Sequence, residues 1–402
     1  MKLKSKPDIT LIFPDSPFLI TKNMFPPLGI MYLAAFLKQK GLEVQCLDIG
    51  GLGHTPDMAE ADVIGISITT PQRDSAFEIA NHFKDRGKLL IAGGPHATHV
   101  PHECQQEGIT TVIRGYGEAN LYNLFSFSEP MDQPYIDDLP YPDRDVLPIK
   151  EYKQWIDERP ATVIMASRGC PYACSFCANI KGSFQIQSAQ RTIDEIDYVQ
   201  DTYGYSAFTL YDDTFVIDKN RLEIMADVLE KRDLRFRCFC RADLLSDGVC
   251  EELARMGVVA VGVGVESGSD EILRLNTKGT GRETNTKAIR NLRKHGIESK
   301  AFLIVGLPGE SHDTVKQTRL WIEEARPDDI AVSVFQPLPG SAIFRNPKKW
   351  GIDFSYDSQP MWYRGKPGKY VSTVRTEALS TEDIVQYRDS IEETYKPKEL
   401  LK

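Results

Sequence analysis

The chain has 402 residues, 41% of them hydrophobic and 26% charged, the proportions of an ordinary soluble protein with room for two or more domains. Its net charge of −9 argues against a nucleic-acid partner bound through its phosphates, and no apolar run approaches the roughly 20 residues of a membrane-spanning helix. The basic start, Met1 to Lys6, leads into no cleavable signal pattern, so the expected location is the cytoplasm. Eight cysteines in a chain this long do not make a disulfide scaffold.

Residues 1–126 alternate short strands with helical stretches. Residues 8–13 are a β-branched run stopped by Pro14, Asp15, Ser16 and Pro17. Pro26, Pro27, Leu28 and Gly29 then open an apolar stretch of helical period, with proline where a helix start tolerates it. Runs 43–48, 62–67, 88–92 and 110–114 read as further strands. The second ends on Asp48 and a glycine-rich turn, the third on Thr69, Thr70, Gln72 and Arg73. The fourth ends on Gly93, Gly94, Pro95 and His96, the fifth on Gly115, Tyr116 and Glu118. This alternation predicts an α/β fold, a doubly wound, Rossmann-like parallel sheet binding its ligand outside the carboxyl ends of the strands. No G-x-G-x-x-G follows the first strand, so a nicotinamide dinucleotide is not the expected ligand. Residues 127–160, rich in Pro and Asp without periodicity, read as an extended linker.

A second alternation occupies 161–344. Its first strand delivers a loop with Cys170, Cys174 and Cys177 at C-x-x-x-C-x-x-C spacing, framed by Gly169 and Pro171. Thiolates are soft donors suited to iron–sulfur clusters or zinc. Structural zinc wants four ligands, usually as two paired half-sites, and no second pair stands elsewhere. Cys46, Cys104, Cys238, Cys240 and Cys250 are scattered and read as packing. Three thiolates on a four-iron cluster leave one iron open to a small molecule, and the spacing predicts that arrangement. Five more strands follow, ending on Asp212 and Asp213, on Arg241, on Glu266, on Gly306 to Glu310, and on Gln336. Six strands with polar rims predict an open, partial (β/α)6 barrel carrying its site on one rim. Residues 345–402 leave the pattern. They carry Trp350, Met361, Trp362, Tyr363, Arg364 and Tyr370 before a charged helix, and read as a lid packed on the core.

The cysteine loop, with Phe176 immediately before the third cysteine, resembles the cluster-binding signature of the radical S-adenosylmethionine (SAM) enzymes. The resemblance implies a 4Fe-4S cluster whose open iron chelates SAM, reductive cleavage of SAM to a 5′-deoxyadenosyl radical under anaerobic conditions, and an electron donor such as ferredoxin or flavodoxin. It further implies that Asp212 or Asp213 receives the SAM amino group, that Arg241 suits the carboxylate, and that Glu266 suits the ribose hydroxyls or the ammonium. Gln336 would line the adenine. Neighbouring side chains on a strand point to opposite faces, so only one of the two aspartates is expected to act. Lys278 and Gly279 also look like a family signature, as does the stretch from Gly306 to Glu310, which is expected to shape a turn.

In the amino-terminal part, Pro27 and Gly29, the run Gly93, Gly94, Pro95 and His96, and the group Gly115, Tyr116 and Glu118 resemble the cobalamin-binding domain that precedes many radical SAM cores. Small residues there let the backbone approach a corrin and its phosphate tail. Asp48 is followed by Ile49 and Gly50, so the cobalt-ligating D-x-H-x-x-G motif is absent. By resemblance Asp48 belongs to the cofactor surround, and the cobalt faces Thr69, Thr70, Gln72 and Arg73. His96 is expected to hydrogen-bond a cobalamin amide or the backbone.

Covering residues 8–344, the resemblance implies a cobalamin-dependent radical SAM methyltransferase, with methylcobalamin and the SAM site facing a substrate between them. An unactivated carbon would lose hydrogen to the radical and take methyl from cobalt, and a second SAM would restore the methyl group. No general acid or base is assigned. The alternatives are a cyclase or oxidoreductase on the same cofactors without methyl transfer, or a non-catalytic cobalamin or redox sensor. A methylthiotransferase fits worse, because it would need three more cysteines in the amino-terminal domain. The short tail resembles that of an archaeal-type branch that methylates methyl-coenzyme M reductase, for example at glutamine. A peptide or protein and a small molecule are thus both expected substrate classes.

Overall fold

The computed structural model describes residues 6–17, 19–126, 129–179, 184–356 and 368–397. Met361, Trp362, Tyr363 and Arg364, four of the expected lid residues, lie outside them. The chain divides into two compact units, Met1–Gln154 and Trp155–Lys402.

The first unit is built on five parallel strands, β1 (Ile9–Phe13), β2 (Val44–Asp48), β3 (Val63–Ser67), β4 (Leu89–Gly93) and β5 (Thr111–Val112), in the order β2-β1-β3-β4-β5. The chain reverses its direction of travel across the sheet at β1, with β2 on one side and β3 on the other. That makes the crevice at the carboxyl ends of β1 and β3 the switch point where such sheets take ligands. Most strand residues are apolar on both faces, as suits a sheet covered by helices. Ile12, Leu47, Ile64 and Ile66 pack with Ile79 and Phe83 from the helix Arg73–Phe83.

The Pro- and Asp-rich segment packs against this unit rather than running free. Ile136 and Leu139 bury against Phe36, and the Tyr152 hydroxyl donates to Asp48 Oδ2 at 2.7 Å. Apolar residues spaced through an otherwise polar stretch give it a surface to bind, which its composition alone does not advertise.

The second unit begins within β6 (Gln154–Ile156), which a turn with positive φ at both Asp157 and Glu158 joins to β7 (Arg159–Ile164). A small antiparallel ladder follows, β8 (Ser167–Arg168) with β9 (Gln185–Ile186). The main sheet continues with β10 (Ala207–Leu210), β11 (Arg235–Arg241), β12 (Val258–Glu266), β13 (Glu298–Val305) and β14 (Asp329–Val334), in the order β14-β13-β12-β11-β10-β7-β6. From β7 to β14 six strands run parallel and in sequence order, an open half-barrel.

Helices between the strands begin on Ser188, Asp218, Ser246 and Ser311, whose side chains each accept a first-turn backbone N–H. After β14 a short pair, β15 (Asp353–Phe354) and β16 (Val374–Arg375), precedes the helix Thr381–Tyr395. That helix is pinned to β14 by Arg388, which is buried beneath the Tyr370 ring and donates to Val332 O at 3.0 Å.

Candidate active site

In the second unit every polar candidate sits at the carboxyl end of a strand or on the loop that follows. The β8–β9 ladder closes the cysteine loop at its base, pairing Ser167 with Ile186 and Arg168 with Gln185. Mid-loop, Ser175 is held by three hydrogen bonds to two residues. Its N–H and its hydroxyl both donate to Asn276 O, at 3.1 and 3.0 Å, and its carbonyl accepts from Ile343 N at 3.2 Å. Asn276 in turn donates from Nδ2 to Pro308 O at 3.1 Å. Cys170 and Cys174 are half-buried and Cys177 is exposed. Burial pushes the Cys170 thiol up, and the Asp213 carboxylate adds to this, so ligation would have to release its proton. Among the described residues no three His, Cys, Asp or Glu side chains converge on a single ion, as tetrahedral zinc requires. A four-iron cluster takes its thiolates on separate irons, and three soft donors on one framed loop fit it.

The two aspartates after β10 part company. Asp212 is buried, its carboxylate accepting from Ala166 N at 3.2 Å and from the Ser167 hydroxyl. Burial pushes it up to about 6, against the pull of Arg221. It therefore secures the chain just ahead of the cysteine loop. Asp213 is exposed, accepts from Asn179 Nδ2 at 2.9 Å, and lies close enough to Cys170 and Cys177 to perturb both thiols.

Next along the rim, Arg241 is bound to Asp243 and to Lys278 O, and its guanidinium covers the Tyr172 ring. Glu266 adopts φ +66, the left-handed region that a residue with a side chain rarely occupies, and its Oε1 accepts from Lys278 Nζ at 2.8 Å. Gly264 leaves room for this pair, since a Cβ there would come within 2.8 Å of Glu266 Oε1 and 2.9 Å of Lys278 Nζ. Lys278 Nζ also stands 6.0 Å from the centre of the Phe176 ring, so Phe176 flanks the loop and the buried pair together. Glu310 is buried and raised to about 8 by that burial, although Gly306 N and Leu307 N both donate to it. It closes its own turn, as expected. Gln336 is buried, with Oε1 accepting from the Thr373 hydroxyl at 2.5 Å.

In the first unit the candidates separate into rim and support. Gly29, Gly93 and Gly115 have no atom within 4 Å of where a Cβ would stand, so the rim is open at all three. Pro95 is exposed, and Thr69, Thr70, Arg73 and Tyr116 are half-buried. Gly94, at φ +95, is a support: a Cβ would lie 2.8 Å from Ile68 O. Gln72 is buried and crosses the switch point, Nε2 donating to Pro14 O and Ser16 Oγ at 2.9 Å each. The Thr69 hydroxyl donates to Gln72 Oε1 at 2.7 Å.

His96 is fully buried behind Thr70, its Nδ1 3.2 Å from the Thr70 hydroxyl and its Nε2 3.4 Å from Glu103 Oε2. Glu103 reaches Arg73 Nη1 at 3.0 Å. Asp48 is buried too, accepting from Gly51 N at 2.8 Å and from Tyr152, and burial raises it. Glu118 is buried on Gln133 Nε2, and Pro27 is buried at the start of the helix Leu28–Gln39. An open rim of glycines and neutral hydroxyls, with the charged side chains turned back into the fold, suits a large cofactor rimmed by amides.

Sequence reasoning did not single out Tyr172, Ser175, Asn179, Asp243 or Asn276. Asp243 was within reach of the sequence, because residues two apart beyond a strand end can pair on one side. The others meet the loop only through tertiary contacts.

A sequence model of the Radical SAM superfamily matches residues 164–322, and one of the B12 binding domain matches residues 21–125. An uncharacterized methyltransferase of Pyrococcus horikoshii is 27% identical over 362 residues, covering 79% of this chain and 78% of its own. The anaerobic magnesium-protoporphyrin IX monomethyl ester cyclase of Rubrivivax gelatinosus is 26% identical over 371 residues, covering 80% of this chain and 66% of its own. Among solved structures, the radical SAM methyltransferase TsrM of Kitasatospora setae, with cobalamin and a [4Fe-4S] cluster bound, superposes with a TM-score of 0.69 at 16% identity. That match covers 89% of this chain and 82% of TsrM, which has also been solved with tryptophan substrate and a SAM analogue.

Proposed function

We propose that this chain, which matches the Radical SAM and B12 binding domains, is a cobalamin-dependent radical SAM methyltransferase acting on an unactivated carbon of its substrate. When bound, the 4Fe-4S cluster, SAM and cobalamin supply a reductively formed 5′-deoxyadenosyl radical and a transferable methyl group.

The chain's own residues have holding and positioning to do. Cys170, Cys174 and Cys177 would ligate the cluster. Asp213 would receive the SAM amino group, because Asp212 is already spent on Ala166 and Ser167 and a carboxylate is the acceptor an ammonium needs. Glu266, held by Lys278, would meet the ribose. Gln336, with its carbonyl fixed by Thr373, would offer its amide nitrogen to the adenine. The rim at Gly29, Gly93, Gly115, Thr69 and Thr70 would take the cobalamin, with Gln72, His96 and Asp48 as supports behind it.

The observation that carries this reading is the cysteine loop, closed by its ladder, pinned at Ser175 and flanked by Asp213. The test is anaerobic incubation of reconstituted protein with methyl-labelled SAM and a reductant. The expected products are 5′-deoxyadenosine and label on cobalamin. Loaded cofactors without 5′-deoxyadenosine would reduce the protein to a sensor. The resemblance to the Rubrivivax cyclase supports a second reading, 5′-deoxyadenosine formation without methyl transfer, which the label separates.

For the substrate, TsrM's tryptophan supports a small molecule; a protein-borne carbon, such as a glutamine of methyl-coenzyme M reductase, is the second class to test. A peptide that gains one methylene in mass selects the second. An unmodified peptide alongside SAM turnover selects the first.

A further inference from the structure

We propose that Arg241, expected from the sequence to meet the SAM carboxylate, is instead a positioning residue for the cluster that donates an N–H to the Cys174 thiolate and raises the cluster's reduction potential. This rests on Cys174 being a cluster ligand, as argued above. Arg241 is only 5% exposed, and its guanidinium is committed on every side. Nε and Nη2 donate to the two carboxylate oxygens of Asp243 at 3.1 and 3.2 Å, and Nη2 also donates to Lys278 O at 2.7 Å. The Tyr172 ring covers one face, its centre 3.8 Å from Cζ. Nη1 remains, and it lies 3.5 Å from Cys174 Sγ.

A fork fixed at Asp243 cannot swing toward a ligand without breaking a paired, largely buried contact. Taking up an electron makes a cluster more negative. A directed N–H on a ligating sulfur, backed by a fixed positive charge, favours that reduced state.

The test uses the full chain with Arg241→Gln, Arg241→Lys and Asp243→Asn, reconstituted anaerobically. Iron and sulfide are assayed first, then the midpoint potential by electron paramagnetic resonance without SAM, then SAM affinity. Arg241→Gln is expected to keep its iron and its SAM affinity and to show a more negative midpoint. Arg241→Lys, which keeps the charge but loses the fork, should shift less in the same direction, and Asp243→Asn should shift the other way. If Arg241→Gln does not hold iron, Arg241→Lys and Asp243→Asn carry the measurement, and unchanged midpoints in both overturn the proposal. Arg241→Gln with full iron and an unchanged midpoint also overturns it, as does loss of SAM affinity at an unchanged midpoint, which would return Arg241 to the carboxylate. Wild-type protein that takes up no iron would instead sink the cluster assignment itself.

Discussion

The two units place loops at the carboxyl ends of parallel strands in the same way and equip them with opposite chemistry. In Met1–Gln154 the rim is glycine, threonine and backbone, while Asp48, His96, Glu103 and Glu118 are turned inward onto partners. In Trp155–Lys402 the charges stand at the strand ends: Asp213, Arg241 with Asp243, and Glu266 with Lys278. The first arrangement would suit a large neutral surface, and the second would suit small charged groups beside the cysteine loop. One scaffold serves both, because strand ends fix where a residue stands and leave its chemistry to the loop.

Four substitutions test how far the contrast goes. The largest expected effect is Cys174→Ala, which should abolish iron uptake and lower 5′-deoxyadenosine formation by roughly a thousandfold or more while cobalamin binding survives. Loss of cobalamin binding as well would show that the two sites are not independent. Lys278→Met comes next. It leaves the Glu266 carboxylate buried without its partner, and should cost about 3–5 kcal/mol in denaturant unfolding.

Gly94→Ala is the counterpart in the first unit, with no charge involved. The positive φ and the nearby Ile68 carbonyl should cost about 1–3 kcal/mol and weaken cobalamin binding, read from its absorbance, with the cluster retained. The smallest effect is Glu310→Gln. Glu310 titrates at about 8 in the fold against its ordinary 4.5, so it stabilises fully below about pH 4.5, and that contribution fades as pH rises to about 8. Urea midpoints at about pH 5 and about pH 8 should move in favour of the variant at the higher pH. A difference independent of pH would mean that Glu310 is already ionised.

The alternation of strands and helices and the two α/β architectures were legible because strand ends are marked by glycine, proline and polar residues, and the cysteine loop stood out because three cysteines at close spacing have few other uses. Asp212 and Asp213 show where legibility stops. Two identical neighbours carry no sign of which one the Ser167 hydroxyl will claim, and that is decided by the chain entering the cysteine loop. His96 was expected to hydrogen-bond a cobalamin amide or the backbone, yet the helix Pro95–His99 buries it behind the Thr70 hydroxyl. Arg241 was read by its charge alone, and charge says nothing of the ring, carbonyl and carboxylate that fix its direction. The Pro- and Asp-rich stretch read as a linker because its apolar residues, Ile136, Leu139 and Tyr152 among them, follow no period.

The grip on Ser175 bears on how the protein matures. Asn276 and Ile343, which hold that residue, are encoded roughly one hundred and one hundred and seventy positions downstream of the cysteines. A ribosome exposes all three thiols long before it has made the segments that give them their shape. Cluster insertion is expected to follow synthesis of most of the second unit, because a nascent chain halted before Asn276 would hold its cysteine loop only by the β8–β9 ladder and the Asp212 and Asp213 contacts, without the grip on Ser175.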